Sequence, residues 1–412
     1  MPKQKTKIPE GWREVKLGEI IKFQGGFAFK TAEYKDGGVP LVRIGNVGKG
    51  YFDATDFVYL SEDAFNEQKQ FQLQAGDTLM GMTGDLGKVC KIEERHLPAL
   101  LNQRVGRVII KNKKESNGDF IYQVFSSTGL HAKFEKHFEG MAQKNISPSQ
   151  VESVEILLPP LATQNKIAEI LGVVDEEIEK VDGVVEKSEK LKNGLTKDLF
   201  TKGIGHTKFK KTKHGELPVE WDVKQLKDLT TKIGDGLHGT PGYSDDSSFY
   251  FINGNNIADK KINIYSETKA VSEDVYYLHK KDLGVSTIFL SINGTIGNVG
   301  FFNNEKVVLG KSIAYINCGR SVIKEFVAYQ IQADKIKSYY VKNLTGTTIK
   351  NLSLGTIRET PIIVPPINEQ KKIVDFLSVA DDKISIYKKI KNNLIQLKKG
   401  LMADLLSGKT II

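Results

Sequence analysis

The chain is poor in the residues that build most redox and metal centres. Of 412 residues, two are cysteine and seven are histidine. Cys90 and Cys318 lie far apart in apolar surroundings, without metal-site spacing or the numbers for a disulfide framework. That usage fits a reducing compartment, and a cytoplasmic location is expected. His131 and His137 are too far apart for a one-turn metal pair, and His206 and His214 fall in a lysine-rich stretch where a solvated role is expected. No apolar run approaches the length of a membrane span, and residues 1–10 are lysine-rich without an apolar core. Neither a membrane helix nor a leader is expected.

Catalytic signatures are missing too. A base methyltransferase needs an amide-Pro-Pro-aromatic cluster for its flipped base, and neither Asn-Pro-Pro nor Asp-Pro-Pro occurs. Glu14-Val15-Lys16 has the Glu-x-Lys form of a metal-dependent nuclease, but no Pro-Asp precedes it. Gly408-Lys409-Thr410 resembles the end of a phosphate-binding loop, yet it follows a helical stretch and has Ala403 in the place of the first glycine. The Asn-x-Ser/Thr triplets at Asn145, Asn293, Asn343 and Asn351 read as polar turns. No metal site, cofactor site or catalytic constellation is expected in this chain.

What is there is a repeat. The stretch 159–200 carries Ile167, Leu171, Val174, Ile178, Val181 and Val185 at steps of four and three, continued by Leu191, Leu195 and Leu199. This is the stripe of a long helix at close to coiled-coil spacing. A second copy, 365–406, carries Ile373, Leu377, Ala380, Ile384 and Tyr387, then Leu394, Leu397, Leu401 and Leu405. The copies align without gaps at a shift of about 206 residues. Pro159-Pro160 and Pro365-Pro366 open them, since proline fits the first helical turn. A helix of about 40 residues spans roughly 60 Å, which suits a spacer. The two helices are expected to pair as an antiparallel coiled coil with pseudo-two-fold symmetry.

Each helix follows a globule that opens alike, Ile8-Pro9-Glu10-Gly11-Trp12 in the first and Leu217-Pro218-Val219-Glu220-Trp221 in the second. Strands are expected at 20–23, 39–44, 78–82, 105–110 and 154–158, with helices at 61–70 and 120–137. The second half repeats the order, with strands at 249–252, 286–292, 307–317 and 360–364 and a helix at 322–340. The fold class is α+β, with two tandem β-sheet globules each followed by a long helix. The expected boundaries are a globule at 1–158, a helix at 159–202, a basic linker at 203–216, a globule at 217–364, and a helix with tail at 365–412. The stretch 201–216, with five lysines and three glycines, reads as a flexible connector, either meeting phosphate or simply solvated. The net charge of +9 permits a polyanion partner without requiring one.

Between the strands run glycine-rich polar loops. In the first globule they carry Lys30, Arg43, Asn46, Thr83, Gln103, Arg104, Gln143, Lys144 and Asn145. In the second they carry His238, Thr240, Asn255, Asn256, Asn293, Lys311, Ser312, Thr347, Thr348 and Lys350. Asn, Gln, Arg and Lys read donor and acceptor patterns on base edges, and glycine lets backbone approach a groove or a phosphate. Any one of these residues also serves as a turn residue or a satisfied loop amide. The two scaffolds stay similar while the loops diverge, which points to two different half-targets.

The chain resembles the specificity subunits of type I restriction-modification enzymes over its full length. The resemblance is carried by Gly26-Phe27-Ala28-Phe29-Lys30, Val42-Arg43-Ile44-Gly45-Asn46, Gly76-Asp77-Thr78-Leu79, Leu101-Asn102-Gln103-Arg104 and Pro159-Pro160-Leu161-Ala162-Thr163-Gln164-Asn165-Lys166-Ile167. The second half adds Asp235-Gly236-Leu237-His238-Gly239-Thr240-Pro241, Asn343-Leu344-Thr345-Gly346-Thr347-Thr348 and Pro365-Pro366-Ile367-Asn368-Glu369-Gln370-Lys371-Lys372-Ile373. Thr163 stands where the second copy has the more usual acidic Glu369, a difference expected to affect helix capping alone. The resemblance implies two target recognition domains reading the halves of a bipartite double-stranded DNA sequence, and helices that set the gap. It further implies docking of two modification (methyltransferase) subunits and of ATP-dependent restriction subunits. S-adenosylmethionine and ATP would then be bound by those partners, and the long seams favour a homodimer when partners are missing. The alternative, a degenerate coiled-coil adapter that reads no DNA, is expected to lose loop polarity, which both loop sets retain.

Overall fold

The computed structural model describes residues 8–136, 145–346, 350–410 and 412. It divides into two compact units, Met1–Gly183 with Lys388–Ile412, and Val184–Tyr387. Unit 1 runs β1 (Arg13–Lys16), α1 (Leu17–Ile20), β2 (Ile21–Gly25), β3 (Val39–Val42), β4 (Val58–Leu60), α2 (Glu62–Glu67), β5 (Thr78–Gly81) and β6 (Val89–Lys91). It continues with β7 (Leu100–Leu101), β8 (Val105–Ile110), α3 (Gly118–Ser126), α4 (Thr128–Glu135), α5 (Pro148–Ser153), β9 (Glu155–Leu158) and the start of α6 (Leu161–Leu199).

Unit 2 holds the end of α6, then β10 (Phe209–Thr212), β11 (Gly215–Pro218), β12 (Asp222–Gln225), β13 (Thr230–Asp235), β14 (Phe249–Ile252), β15 (Ile257–Ala258), β16 (Lys261–Ile262) and β17 (Ala270–Val271). There follow α7 (Glu273–His279), β18 (Thr287–Ser291), β19 (Val299–Phe301), β20 (Val307–Leu309), β21 (Ile313–Cys318), α8 (Lys324–Gln332), α9 (Asp334–Lys342), α10 (Leu354–Arg358) and β22 (Pro361–Val364). The last helix, α11 (Ile367–Leu406), starts in unit 2 and ends in unit 1.

Each unit contains a four-stranded antiparallel sheet, β2-β8-β5-β6 or β13-β21-β18-β19, and a mixed three-stranded sheet, β4-β3-β7 or β17-β14-β20. A separate ladder joins the first strand of each globule to its last, β1 to β9 and β12 to β22. That ladder brings the globule's two ends together where Pro-Pro turns the chain into the long helix. Beneath this turn sits a fully buried glutamine in each unit. Gln164 Nε2 donates to Pro159 O and Glu115 O (both 2.9 Å), and its Oε1 accepts from Asn117 N (2.9 Å). Gln370 Nε2 donates likewise to Pro365 O (2.9 Å) and Ser321 O (3.2 Å), and its Oε1 accepts from Ile323 N (3.0 Å). One side chain satisfies the carbonyl at the Pro-Pro break together with two backbone groups of the turn that leads into α3 or α8.

The long helices complete the cores. In unit 1, Ile167 and Leu171 of α6 and Met402 and Leu405 of α11 join the cluster of Phe120, Phe125, Phe134 and Ile21. Each such side chain taken from water contributes about 1.5–3 kcal/mol. In unit 2, Leu199 of α6 and Ile373 and Leu377 of α11 pack with Trp221, Phe326 and Tyr329. Within unit 1 the two helices run antiparallel, as Asp175 pairs with Lys398 (2.6 Å) and Asp182 with Lys391 (2.5 Å), one heptad on against one heptad back.

Four expectations are corrected here. Leu191 and Leu397 are 75% and 52% exposed, because the neighbouring Lys192 and Lys398 turn inward to meet Asp381 and Asp175. The expected strand at 307–317 is two strands, parted by the turn Gly310-Lys311-Ser312. The expected helices at 120–137 and 322–340 are each broken in two; Ser127 ends α3 and caps α4 by accepting from Leu130 N (3.2 Å). The stretch read as a flexible connector carries the hairpin β10–β11, whose turn is pinned by Thr212 Oγ1 donating to Gly215 O (2.7 Å). No helix among the described residues is long and apolar enough to cross a membrane.

Candidate nucleic-acid interface

Main-chain bonds draw the polar turns of unit 1 together at one end of its sheets. Gly26 N donates to Val105 O (3.1 Å), Phe27 N to Leu101 O (3.0 Å), Gln103 N to Phe27 O (2.9 Å) and Asn102 N to Val42 O (3.1 Å). Met82 N donates to Arg104 O and Ile146 N to Met82 O (both 2.9 Å). Unit 2 repeats the pattern. Gly236 N donates to Ile313 O (3.1 Å), Leu237 N to Leu309 O (2.7 Å), Gly310 N to Ile252 O (2.8 Å), Ile292 N to Ser312 O (2.9 Å) and Leu352 N to Ile292 O (2.9 Å). A Cβ on Gly26 would lie 2.3 Å from Asn102 O, and one on Gly236 would lie 2.3 Å from Gly310 O. These two glycines therefore serve the approach of one turn to another, not the approach of a ligand that was expected of them.

The predicted residues sort into exposed and internal sets. Lys30, Gln103, Arg104 and Asn145 are exposed in unit 1, as are His238, Thr240, Asn255, Lys311 and Lys350 in unit 2. Gln103, Arg104 and Lys311 stand at the tips of corresponding turns, with no side-chain partner among the described residues. Asp235 Oδ2 lies 2.7 Å from His238 Nε2 and fixes how that ring is presented. Asn46 and Asn256 are corrections: both are buried. Asn46 Oδ1 accepts from Arg43 N, and its Nδ2 donates to Asp53 O and Asp56 O. Asn256 accepts from Asn253 N and donates to Asn263 O and Thr268 Oγ1. With donors and acceptor both engaged inside the protein, these amides shape their loops.

Ser312 is half-buried, its hydroxyl accepting from Gly254 N (2.9 Å) and donating to Asn253 Oδ1 (3.0 Å). Arg43 is half-buried and held by Asp56 (3.2 Å). Thr83 and Asn293 are half-buried and pair antiparallel with Asn145 and Asn351. Asn293 Oδ1 is buried without a partner among the described residues. Gln143, Lys144, Thr347, Thr348 and His137 lie outside the described residues.

Several supports were not legible beforehand. Arg107 on β8 faces Gln24 on β2, and its guanidinium reaches Gln24 Oε1 (2.8 Å), Gln72 O (2.7 Å), Gln70 O (3.0 Å) and Asp77 (3.1 Å). It ties the turn 24–30 to the connection before β5. Glu369, expected to act in helix capping, instead accepts from Ile204 N (2.9 Å), Trp221 Nε1 (2.9 Å) and His206 Nε2 (2.9 Å). The signal available in advance was the recurrence of Asn145-Ile146-Ser147 as Asn351-Leu352-Ser353, which places Asn351 opposite Asn145 in the repeat.

Titrating groups near the turns are held by local chemistry. Lys49 at 2.9 Å, with a further bond from Gly87 N, holds the Asp85 carboxyl below its ordinary range against a small cost of burial. Burial pushes the imidazole of His131, packed under that turn, down from its ordinary value, although Phe125 O lies 2.6 Å from Nε2. Burial pushes both thiols up to about 12, which keeps them protonated and unreactive. No cluster of three or more His, Cys, Asp or Glu placed to hold a metal occurs among the described residues.

The turn clusters thus present exposed amides and cations on two scaffolds of one design, and known proteins share that design. The type I restriction modification DNA specificity domain matches residues 9–183 and again residues 218–396, more than half of the chain. The type I restriction enzyme MjaVIII specificity subunit of Methanocaldococcus jannaschii is 26% identical, over 98% of this chain and 94% of its own length. The EcoBI specificity subunit of Escherichia coli is 23% identical, over 98% and 87%. The crystal structure of the type I restriction-modification S subunit from M. genitalium shares the fold, with a TM-score of 0.57 at 15% identity over 98% of both chains. The chain belongs to the type I restriction modification DNA specificity family, as a specificity subunit that supplies sequence recognition and carries no catalysis.

Proposed function

We propose that each turn cluster reads one half of a split double-stranded DNA target, and that the long helices set the gap between the halves. The observation that carries this reading is the twice-repeated main-chain framework with different exposed side chains at its tips, Gln103-Arg104 in one unit and Lys311 in the other. Arg and Lys suit the O6/N7 edge of guanine and Gln suits adenine, so the two tips favour different base sequences. Lys30 and Asn145 flank the first tip, while His238, Thr240, Asn255 and Lys350 flank the second. The helix surfaces dock two modification subunits, which bind S-adenosylmethionine, and the assembly recruits restriction subunits that use ATP. The subunit works where the chromosome is, in the cytoplasm, and pairs with itself when partners are missing.

A genome-wide map of N6-methyladenine with the gene intact and deleted tests the reading. The expected result is loss of one split motif, methylated on both strands. An unchanged map, with the partner subunits expressed, overturns it.

A further inference from the structure

In unit 2 the two-residue turn between β15 and β16 is Asp259-Lys260, and both residues have positive φ (51° and 59°). Such a turn favours glycine at its second position, because a Cβ is crowded there. Unit 1 makes the corresponding turn between Val47 and Phe52, and at the matching position it has Gly50 with φ of 85°. Backbone geometry therefore does not account for a lysine at 260. Its side chain does: Nζ lies over the Tyr329 ring at 3.6 Å and bonds Asp381 Oδ2 on α11. Tyr329 OH of α8 donates to the same oxygen (2.7 Å), and Lys192 of α6 pairs with Asp381 Oδ1.

The β15–β16 turn is in this way tied to both long helices through one carboxylate. In unit 1 the equivalent Asp175 accepts from Gln123 of α3 (2.7 Å) and pairs with Lys398 of α11, while Lys49 of the matching turn pairs with Asp85 instead. Burial lowers the Lys260 pKa, with the bond to Asp381 opposing it. Burial also raises that of Asp381, but bonds from Lys192, Lys260 and Tyr329 outweigh it and the carboxyl lies below its ordinary range. The group is a half-buried cluster of one carboxylate, two ammonium groups and a phenol.

We infer that Lys260 is a positioning residue that locks the β15–β16 hairpin of the second globule to the helix pair and so makes the subunit intolerant of altered half-site spacing. This rests on the split-target reading above. Each added base pair turns a half-site by roughly 34–36° about the duplex axis, which a locked domain cannot follow. Asn255, five residues before Lys260, is the exposed tip of the same segment, so the lock acts close to the bases read.

The test uses the complete complex with modification subunits, and duplexes carrying the mapped half-sites at the cognate spacing and at one base pair more or less. Lys260→Gly suits the turn and removes the tie; Lys260→Arg keeps the cation. The wild type is expected to favour its cognate spacing strongly. Lys260→Gly should reduce that preference by about tenfold at unchanged melting temperature, a change the size of one mismatched contact, and Lys260→Arg should retain it. An unchanged spacing profile in Lys260→Gly, a uniform loss at every spacing, or a profile broadened equally by Lys260→Arg overturns the inference. A wild type indifferent to both half-sites overturns the split-target reading instead.

Discussion

Under the start of each long helix a buried glutamine makes the same three bonds in both units, and Asn46 and Asn256 brace their loops alike, while other side-chain supports differ between the units. Unit 1 places Arg107 between two turns where unit 2 has Tyr315 in the corresponding strand β21. Unit 2 gathers His206, Trp221 and the backbone of Ile204 on Glu369, where unit 1 has Thr163. The contrast shows which parts of the repeat are bound by geometry. Where the Pro-Pro break packs against the turn that leads into α3 or α8, the same three backbone groups need satisfying, and glutamine supplies one acceptor and two donors in the required places. At the tips of the turns, backbone bonds already hold the framework, so the exposed side chains there are free to differ.

The comparison predicts unequal effects. Glu369→Ala leaves three donors around Trp221 without their acceptor and should cost about 3 kcal/mol. Thr163→Ala should cost less than about 0.5 kcal/mol; equal losses in denaturant unfolding would break the asymmetry. Arg107→Met takes the cation from Asp77 and the donors from Gln24 Oε1 and Gln72 O, and should cost about 2–3 kcal/mol and blur base preference in the first half-site alone. Tyr315→Phe, whose hydroxyl is not among the bonds described, should cost less than about 0.5 kcal/mol. A binding-site selection on both variants checks this, and blurring in both half-sites would refute it.

Gln164→Ala and Gln370→Ala should each cost about 2 kcal/mol, and to within about 0.5 kcal/mol of each other. Calorimetry of the two variants sharpens the point, because a clear inequality would mean that the two helix starts are not equivalent. Arg104→Ala and Lys311→Ala should each weaken DNA binding by about 1 kcal/mol or more. If the lost contact is to phosphate, the salt slope falls by about 1; if to a base, preference relaxes at one position. Titrations across salt concentrations separate the outcomes, and no change in either quantity removes the residue from the interface.

The smallest effect concerns pH. The folded His131 resists protonation, so an unfolded chain binds that proton first, and stability falls as pH drops through the ordinary value of 6.5 until the folded ring also titrates. His131→Gln should lose less stability than the wild type between about pH 7.5 and about pH 5.5. Matching pH profiles would refute this.

The long helices, the Pro-Pro starts and the order of strands were legible because hydrophobic period and proline act locally. The inward lysines were not. Lys192 and Lys398 sit where an apolar residue continues the stripe, and their aspartate partners come from a helix far off in sequence. Asn46 and Asn256 looked like base readers because an amide bonds equally well to a base edge or to its own loop, and only burial distinguishes the two. Thr212 and Gly215 turn the lysine-rich stretch into a hairpin, a signal masked by charge. Lys260 was passed over because its partner and its positive φ are both properties of the fold.

The turn 102–104 has a consequence for how such proteins change. Every bond described as holding it is made by main chain, from Phe27, Val42, Met82 and Val105. Gln103 and Arg104 are therefore interchangeable parts on a fixed mount. On the proposed reading, substitution at these two codons alone should change the target while the fold of the globule is kept. A library randomised at both positions should consist largely of folded proteins, and its members would differ in what they address rather than in whether they assemble.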